Sequence, residues 1–413
     1  MVIKLDFLGV GNMKKKLDIE NKVWNFIDNH LYLIYFIIIT LLSLLVRYLL
    51  IKYNSGDYDM FLKPWFDELK MYGGLLGLSK NIGNYMPIYM TILAILTYLP
   101  FDSLISIKIV SIIFDYLGAI FVFKIVLELL KNKNNKEKIA LVIYTLYLFI
   151  PTVILNSSYW AQSDSIYTSF VLISLYYLIK KDFKKSILFW SFAISFKFQA
   201  IFIFPIYVLV YFSDRKIKFK NFLIVPAIIF LLSLPKACIS HNLLVGFEAY
   251  WNQANTYSQY ITLNLPNFYS IFLRGYEANN PNLVTTPLKE MGTIGIIVTL
   301  VIFISIAFLV YKKKIKFDKK AIIDFALWSI LLCNFFLPQM HDRYLFMADV
   351  IALIYWVLNK DKYYIPIAIE MISLNGYMYL LFGGGAINMS LLSIFYLVIL
   401  IIYSKDMYAK YLK

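Results

Sequence analysis

The chain has 413 residues, of which 61% are hydrophobic, and a mean hydropathy of +0.68. Soluble domains sit near half apolar, so this composition excludes an ordinary soluble globular protein and points to an all-α polytopic membrane protein. The formal charge of +15 does not indicate nucleic acid, because the lysines punctuate apolar runs as they do in cytoplasmic loops; the two cysteines, Cys238 and Cys333, supply no disulfide framework and no metal spacing.

In chain order, a mixed basic segment precedes the first apolar run, and no A-x-A site follows it, so that run is expected to be a retained anchor. A spanning helix needs ~20 mainly apolar residues. Stretches of this kind lie near 31–51, 103–130, 139–156, 165–180, 184–197, 199–212, 221–238, 292–311, 320–338, 344–359, 362–382 and 386–404, about 12 spans in one integral-membrane domain over 1–413.

Orientation follows from "MKKK" (13–16), "KNKNNKEK" (131–138), "KKDFKK" (180–185), "SDRKIKFK" (213–220), "YKKKIKFDKK" (311–320), "NKDK" (359–362) and "SKDMYAKYLK" (404–413). These segments hold well over half of the 40 basic residues, and a positive-inside reading places them and both termini in the cytoplasm. "PIYMTILAILTYL" (87–99) cannot then cross, because a crossing would put "KNKNNKEK" outside; it is expected to lie in, or dip into, the outer interface. The same rule makes 184–212 cross twice or re-enter, with a turn near "FKFQA" (196–200). The two largest extracytoplasmic loops are 52–102 and 239–291.

With that orientation the costly polar residues gather on one side of the membrane. Asp57 and Asp59 lie in the first outer loop, Gln162 and Asp164 in "YWAQSDS", Lys197 and Gln199 in "FKFQA", and His341, Asp342 and Arg343 in "MHDRY". Asp57 follows Gly56, where the chain can turn back toward the membrane, and a carboxylate there can take a proton from an attacking hydroxyl. Read alone, Asp59 is a solvated surface acid. Arg343 offers a planar fork of donors suited to phosphate, and His341 can donate or accept. Asp342 could simply pair with Arg343. Lys197 either snorkels or contacts phosphate. Trp160 and Tyr159 read as aromatic-belt residues, Asp115 has no assigned role, and His30 and His241 read as structural.

The motifs "GDYDMFLKPW", "NYMPIY" (84–89), "YWAQSDS" (159–165), "SFKFQA" (195–200), "LNLPNFYSI" (263–271) and "MHDRYLF" (340–346), in this order, resemble the GT-C membrane glycosyltransferases. Within them the chain is most similar to bacterial proteins related to the second mannosyltransferase of GPI-anchor assembly, and more distantly to the dolichyl-phosphate-glucose-dependent glucosyltransferases of N-glycan assembly. The resemblance covers about 31 to 350. It implies a GT-C-like bundle whose first outer loop contains interfacial helices. It also implies transfer of a hexose, mannose or glucose, from a polyprenyl-phosphate donor to a lipid-linked or cell-wall glycan acceptor, outside the plasma membrane.

The family pattern places the general base on Asp57 with Asp59 as second acid, and donor-phosphate binding on His341, Arg343 and Lys197. Gln162, Asp164, Gln199, Asp342 and Tyr85 inherit substrate contacts. The family often carries Glu where this chain has Asp342, which keeps the charge and shortens the reach. No metal or other cofactor is implied if the cations carry the phosphate charge. Direct displacement would invert the anomeric centre. Two alternatives remain beside this reading: a polysaccharide ligase or polymerase with a polyprenyl-linked donor, and a lipid-linked-sugar transporter or flippase.

Overall fold

A computed structural model describes residues 8–214, 217–256, 260–273 and 286–413, without the side chains of 8–19, 214 and 286–289. The chain divides into two compact units, one ending at Val46 and one of Arg47–Lys413. The first holds most of α1 (Leu8–Leu50), a helix bent at His30, where φ is −119° and ψ 16°. Its apolar side chains, Leu31, Ile37, Leu41 and Leu45 among them, are exposed.

In the second unit the described helices are α2 (Lys63–Met71), α3 (Pro87–Leu96), α4 (Ser103–Leu129), α5 (Lys136–Phe149), α6 (Pro151–Ile154), α7 (Asp164–Ile179), α8 (Phe183–Phe196), α9 (Phe204–Asp214), α10 (Ile224–Ser240), α11 (Val245–Thr256), α12 (Thr286–Lys313), α13 (Lys319–Phe336), α14 (Phe346–Leu358), α15 (Tyr364–Leu381) and α16 (Met389–Met407). The apolar stretches are largely helical, with a break inside 139–156 at Ile150. Helix starts carry the acceptors that their first N–H groups require: Asp102 caps α4, Asp182 α8, Asp318 α13 and Asn388 α16.

Among the described residues, five helical segments are long and apolar enough to cross a membrane: Glu20–Leu50, Ser103–Leu129, Phe219–Ser240, Glu290–Lys313 and Met389–Leu412. A sixth follows if Lys136–Phe149 and Pro151–Tyr159, bent by 52°, form one broken span. The bend falls at Ile150, directly before Pro151, where the chain must leave the helical region. The chain is thus a largely helical membrane protein. α3 has 10 residues, or ~15 Å, and is one of several apolar helices shorter than a ~30 Å hydrocarbon core.

The core sits where helices are apolar on every side. α13 is buried from Ala321 to Phe335 and α14 from Phe346 to Tyr355. α7 packs on α4 and α8, α13 packs on α14 and α16, and α14 packs on α15.

Two short strands then join segments that are far apart in sequence. β1 (Thr262–Leu263) lies parallel to β2 (Met340–His341), pairing Thr262 with Met340 and Leu263 with His341. The Asp342 amide continues the ladder to the Leu263 carbonyl at 2.8 Å. α15 passes against this pair at Gly376, where an added Cβ would lie 2.9 Å from the Asp342 carbonyl oxygen and 3.1 Å from that of Asn264. Glycine is the residue that permits that approach.

Candidate functional site

The turn carrying Asp57 is held from three directions. Lys108 of α4 donates to the carbonyls of Ile51 at 3.1 Å and Tyr53 at 2.6 Å, satisfying backbone acceptors left open where α1 ends. Ser55 donates to the Trp160 carbonyl at 2.8 Å, and the Tyr58 hydroxyl meets the Ser103 hydroxyl at 2.6 Å. Gly56 has open space where a Cβ would stand and no left-handed φ, so the turn does not depend on glycine as its sequence position suggested.

Against this frame Asp57 is half-buried, and its Oδ2 accepts from Trp160 Nε1 at 3.0 Å and from Gln162 Nε2 at 2.8 Å. Gln162 in turn accepts from the Tyr85 hydroxyl at 3.3 Å. Oδ1 of Asp57 has no hydrogen bond among the described residues. A carboxylate with one oxygen fixed by two N–H donors and the other open is arranged to receive a proton from a ligand.

Trp160 differs from its expected place. It is fully buried rather than in an aromatic belt, and the Arg343 guanidinium lies 5.4 Å from its ring centroid. One indole thus contacts both the acid and the cation of the site.

Asp59 separates from Asp57. It is exposed and accepts from Asn54 Nδ2 at 2.9 Å. The segment Tyr58–Leu62 is helical, and residues two apart on a helix do not share a face, so the two acids of "DYD" cannot converge.

A cavity of about 180 Å³ lies beside Asp57; Tyr85, Gln162, Asn264, His341, Asp342 and Arg343 complete its polar wall, with Phe61 and Trp65 as its apolar wall. The parallel strand pair brings Asn264 and the "MHDRY" turn to this wall. A second cavity, of about 470 Å³, shares Asn84, Tyr85, His341 and Arg343 with the first. It adds Lys197 and Gln199 within a largely apolar lining that includes Phe196, Phe202, Ile296 and Leu337.

Asp164 opens α7 and is fully buried. Rather than facing either cavity, it anchors cations: Lys197 Nζ lies 2.5 Å from its Oδ1 and Arg343 Nε 3.6 Å from its Oδ2. Asn156 holds the same carboxylate at 3.0 Å and also reaches Tyr377. The substrate contact expected of Asp164 is therefore replaced by an ion pair that fixes two phosphate-binding candidates. Gln162 likewise holds Asp57 while still lining the first cavity. Arg343 reaches Asp342 at 3.4 Å, so the pairing considered from sequence is present but long. Gln199 keeps a buried Oε1 without a hydrogen bond at the second cavity.

Burial shapes the charges here. It brings the Lys197 ammonium down to about 8, opposed by Asp164. It pushes the Asp342 carboxyl up to about 7, against the pull of Arg343. It holds the His341 imidazole well below its ordinary value, with Arg343 and Lys197 adding to the effect, so that ring is neutral at pH 7. A neutral imidazole and a carboxyl whose burial favours its protonated form are suited to exchanging hydrogen bonds with hydroxyls. Lys197 and Arg343 remain the cations for an anion.

Among the described residues no group of three or more His, Cys, Asp or Glu side chains could hold a metal ion. Asp115, without a role in sequence, pairs with Arg47 at 3.0 Å and accepts from Ser157 at 2.6 Å, which ties the end of α1 to α4 and to the turn before Trp160. That is a positioning contact that the sequence showed only as two charges in apolar runs. No family model matches the chain, and no curated protein matches it.

Proposed function

We propose that the protein is a GT-C-type hexosyltransferase of about 12 spans in the plasma membrane, with cytoplasmic termini and an extracytoplasmic site, which uses a polyprenyl-phosphate hexose as donor. The observation that carries this reading is the junction of two cavities of different size at Asn84, Tyr85, His341 and Arg343. One is small, with Asp57 held by Trp160 and Gln162 on its wall. The other is larger and largely apolar; Arg343 lines both cavities, and Lys197 lines the larger one. A lipid tail fits the apolar cavity, its phosphate meets Arg343 and Lys197, and the sugar reaches the small cavity where Asp57 waits.

In the transfer, an acceptor hydroxyl oxygen forms a bond to the anomeric carbon as the bond from that carbon to the donor phosphate oxygen breaks. The hydroxyl proton passes to Asp57 Oδ1, and the electron pair leaves with the polyprenyl phosphate, whose growing charge is met by Arg343 and Lys197. Attack opposite the leaving group inverts the anomeric centre. His341 and Asp342 line the small cavity and contact the sugar hydroxyls. Mannose and glucose are both candidate hexoses, and a lipid-linked or wall glycan is the acceptor.

The test is to incubate purified protein in lipid nanodiscs with a panel of polyprenyl-phosphate hexoses and measure donor consumed. One hexose should be consumed in preference to the rest. No consumption of, and no binding to, any member would overturn the reading.

A second reading, a carrier of lipid-linked sugar, is favoured by the buried Asp349 of α14 and the half-buried Glu370 of α15. Asp349 accepts from Ser373 at 2.8 Å, and Glu370 accepts from the Thr152 hydroxyl at 2.8 Å. Transbilayer movement of the same donors in proteoliposomes, without chemistry, would identify it.

A further inference from the structure

A third cavity, of about 570 Å³, lies between the 78–87 segment, the end of α10 and α11. Its lining is different in kind from that of the apolar cavity: Lys80, Asn81, Asn242, Glu248, Asn252 and Gln253 contribute to it. It is not remote from the site. Asn84 and Tyr85 line this cavity, the Asp57 cavity and the apolar cavity alike. Gln253 of α11 fixes this junction by donating to the Asn84 carbonyl at 3.0 Å.

Two polar groups in the lining lack the partners that such groups normally have. Lys236 is half-buried, and its ammonium makes no hydrogen bond or ion pair with any described residue. The Ser240 hydroxyl is buried and without a hydrogen bond. The two stand four apart on α10, one turn from each other and on one face. A buried hydroxyl is nearly always satisfied, so the Ser240 hydroxyl left open beside the half-buried Lys236 ammonium in a polar cavity makes a place for a ligand that accepts from both. The contrast with the other lysine of the site is direct: Lys197 is paired with Asp164, whereas Lys236 pairs with no carboxylate among the described residues.

We propose that this third cavity is the acceptor subsite and that it takes a glycan headgroup bearing an anionic group, a phosphate or a carboxylate, held by Lys236 and Ser240. Glycan hydroxyls meet the asparagines around it, and the reacting hydroxyl passes Asn84 and Tyr85 to reach Asp57. This assignment rests on the transferase reading for the word acceptor. The anion site itself does not.

The test is binding without turnover. Full-length protein in nanodiscs is titrated with a methyl hexoside 6-phosphate, which lacks the donor's anomeric phosphate, with glucuronate and with a neutral methyl glucoside, in the wild type and in Lys236→Gln, Ser240→Ala and Lys197→Gln. The melting temperature of each variant is recorded to confirm folding. An anionic sugar should bind the wild type, and Lys236→Gln should raise its Kd about tenfold or more, the loss expected of one charge-assisted hydrogen bond. Ser240→Ala should raise it several-fold, and Lys197→Gln should leave it within twofold. The better of phosphate and carboxylate names the anion. Equal binding of the neutral glycoside, unchanged Kd in Lys236→Gln, loss that follows Lys197 instead, displacement by polyprenyl phosphate, or no binding of any probe would each overturn the proposal. The donor panel separates the two readings: donors consumed while Lys236 proves irrelevant removes only this subsite, and Lys236-dependent binding with no donor consumed removes only the transferase.

Discussion

Two ion clusters in this protein are built from similar residues and differ in how completely they are closed. In one, Asp324 of α13 accepts from Asn359 at 3.2 Å and from Tyr411 at 2.8 Å, and its carbonyl accepts from Tyr403 at 2.9 Å. Lys410 donates to Asn359 Oδ1 and to Asp406, each at 2.8 Å. In the other, Asp164 holds Lys197 and Arg343, yet both cations also line a cavity, the Arg343 Nε stays 3.6 Å from its carboxylate, and Gln199 Oε1 nearby has no partner. A closed network contributes rigidity, whereas an open one keeps hydrogen-bonding capacity for something else. The difference therefore sorts buried charge into scaffold and site without reference to residue type.

Substitutions should break the two clusters in different ways. The largest effect is expected at the open end: Asp57→Asn removes the proposed proton acceptor and should lower kcat by about 10²–10⁴-fold, with donor binding unchanged in a direct titration. Arg343→Ala should weaken donor affinity by about 100-fold, since it strips a guanidinium from a mostly buried anion site and leaves Asp164 and Asp342 less compensated. Trp160→Phe keeps the packing and removes one donor to Asp57. It should lower kcat about tenfold with donor KM unchanged, a split that a packing defect would not produce.

pH sharpens the same comparison. Burial places the Lys197 ammonium at about 8, so rising pH through that value removes a proton and a cation from the donor site. Donor affinity should fall above pH 8, and Lys197→Arg, which stays charged, should carry the affinity to higher pH. At the closed cluster the outcome is reversed. Asp324→Ala should cost about 1–3 kcal/mol of stability in a detergent melt while leaving kcat per folded molecule unchanged. The smallest effect belongs to Asp59→Asn, whose exposed acid bonds only Asn54 among the described residues; activity within twofold of wild type is expected.

The helical stretches were legible because apolar runs of this length have few other ways to satisfy their backbone in lipid. Their crossing was less so: α7, α13 and α14 sit inside other helices, and burial among helices and immersion in lipid leave the same apolar signature. The polar constellation was legible one segment at a time, through charges placed where charges are costly. Its wiring was not. Asp164 and Lys197 are 33 residues apart, and nothing local says that one neutralises the other rather than a ligand. The "DYD" pair misled for a local reason, because a helical turn after Asp57 sends Asp59 to the opposite face. Trp160 escaped notice because an indole beside an interface has an ordinary explanation, and only its 3.0 Å contact with Asp57 replaces it. The β1–β2 pair was beyond reach, being two residues long on each side and pairing Thr262 with the distant Met340.

That strand pair has a weak point which carries no chemistry. At Gly376 the backbone of α15 fills the space that a side chain would need, against the carbonyls of Asp342 and Asn264. A single methyl group there acts as a wedge, prising the "MHDRY" turn from the wall that faces Asp57. Gly376→Ala alters no charge and no hydrogen bond, and by composition alone it would pass for neutral. It nevertheless makes Gly376 a place where a variant of this protein can lose its activity while every residue of the site stays intact.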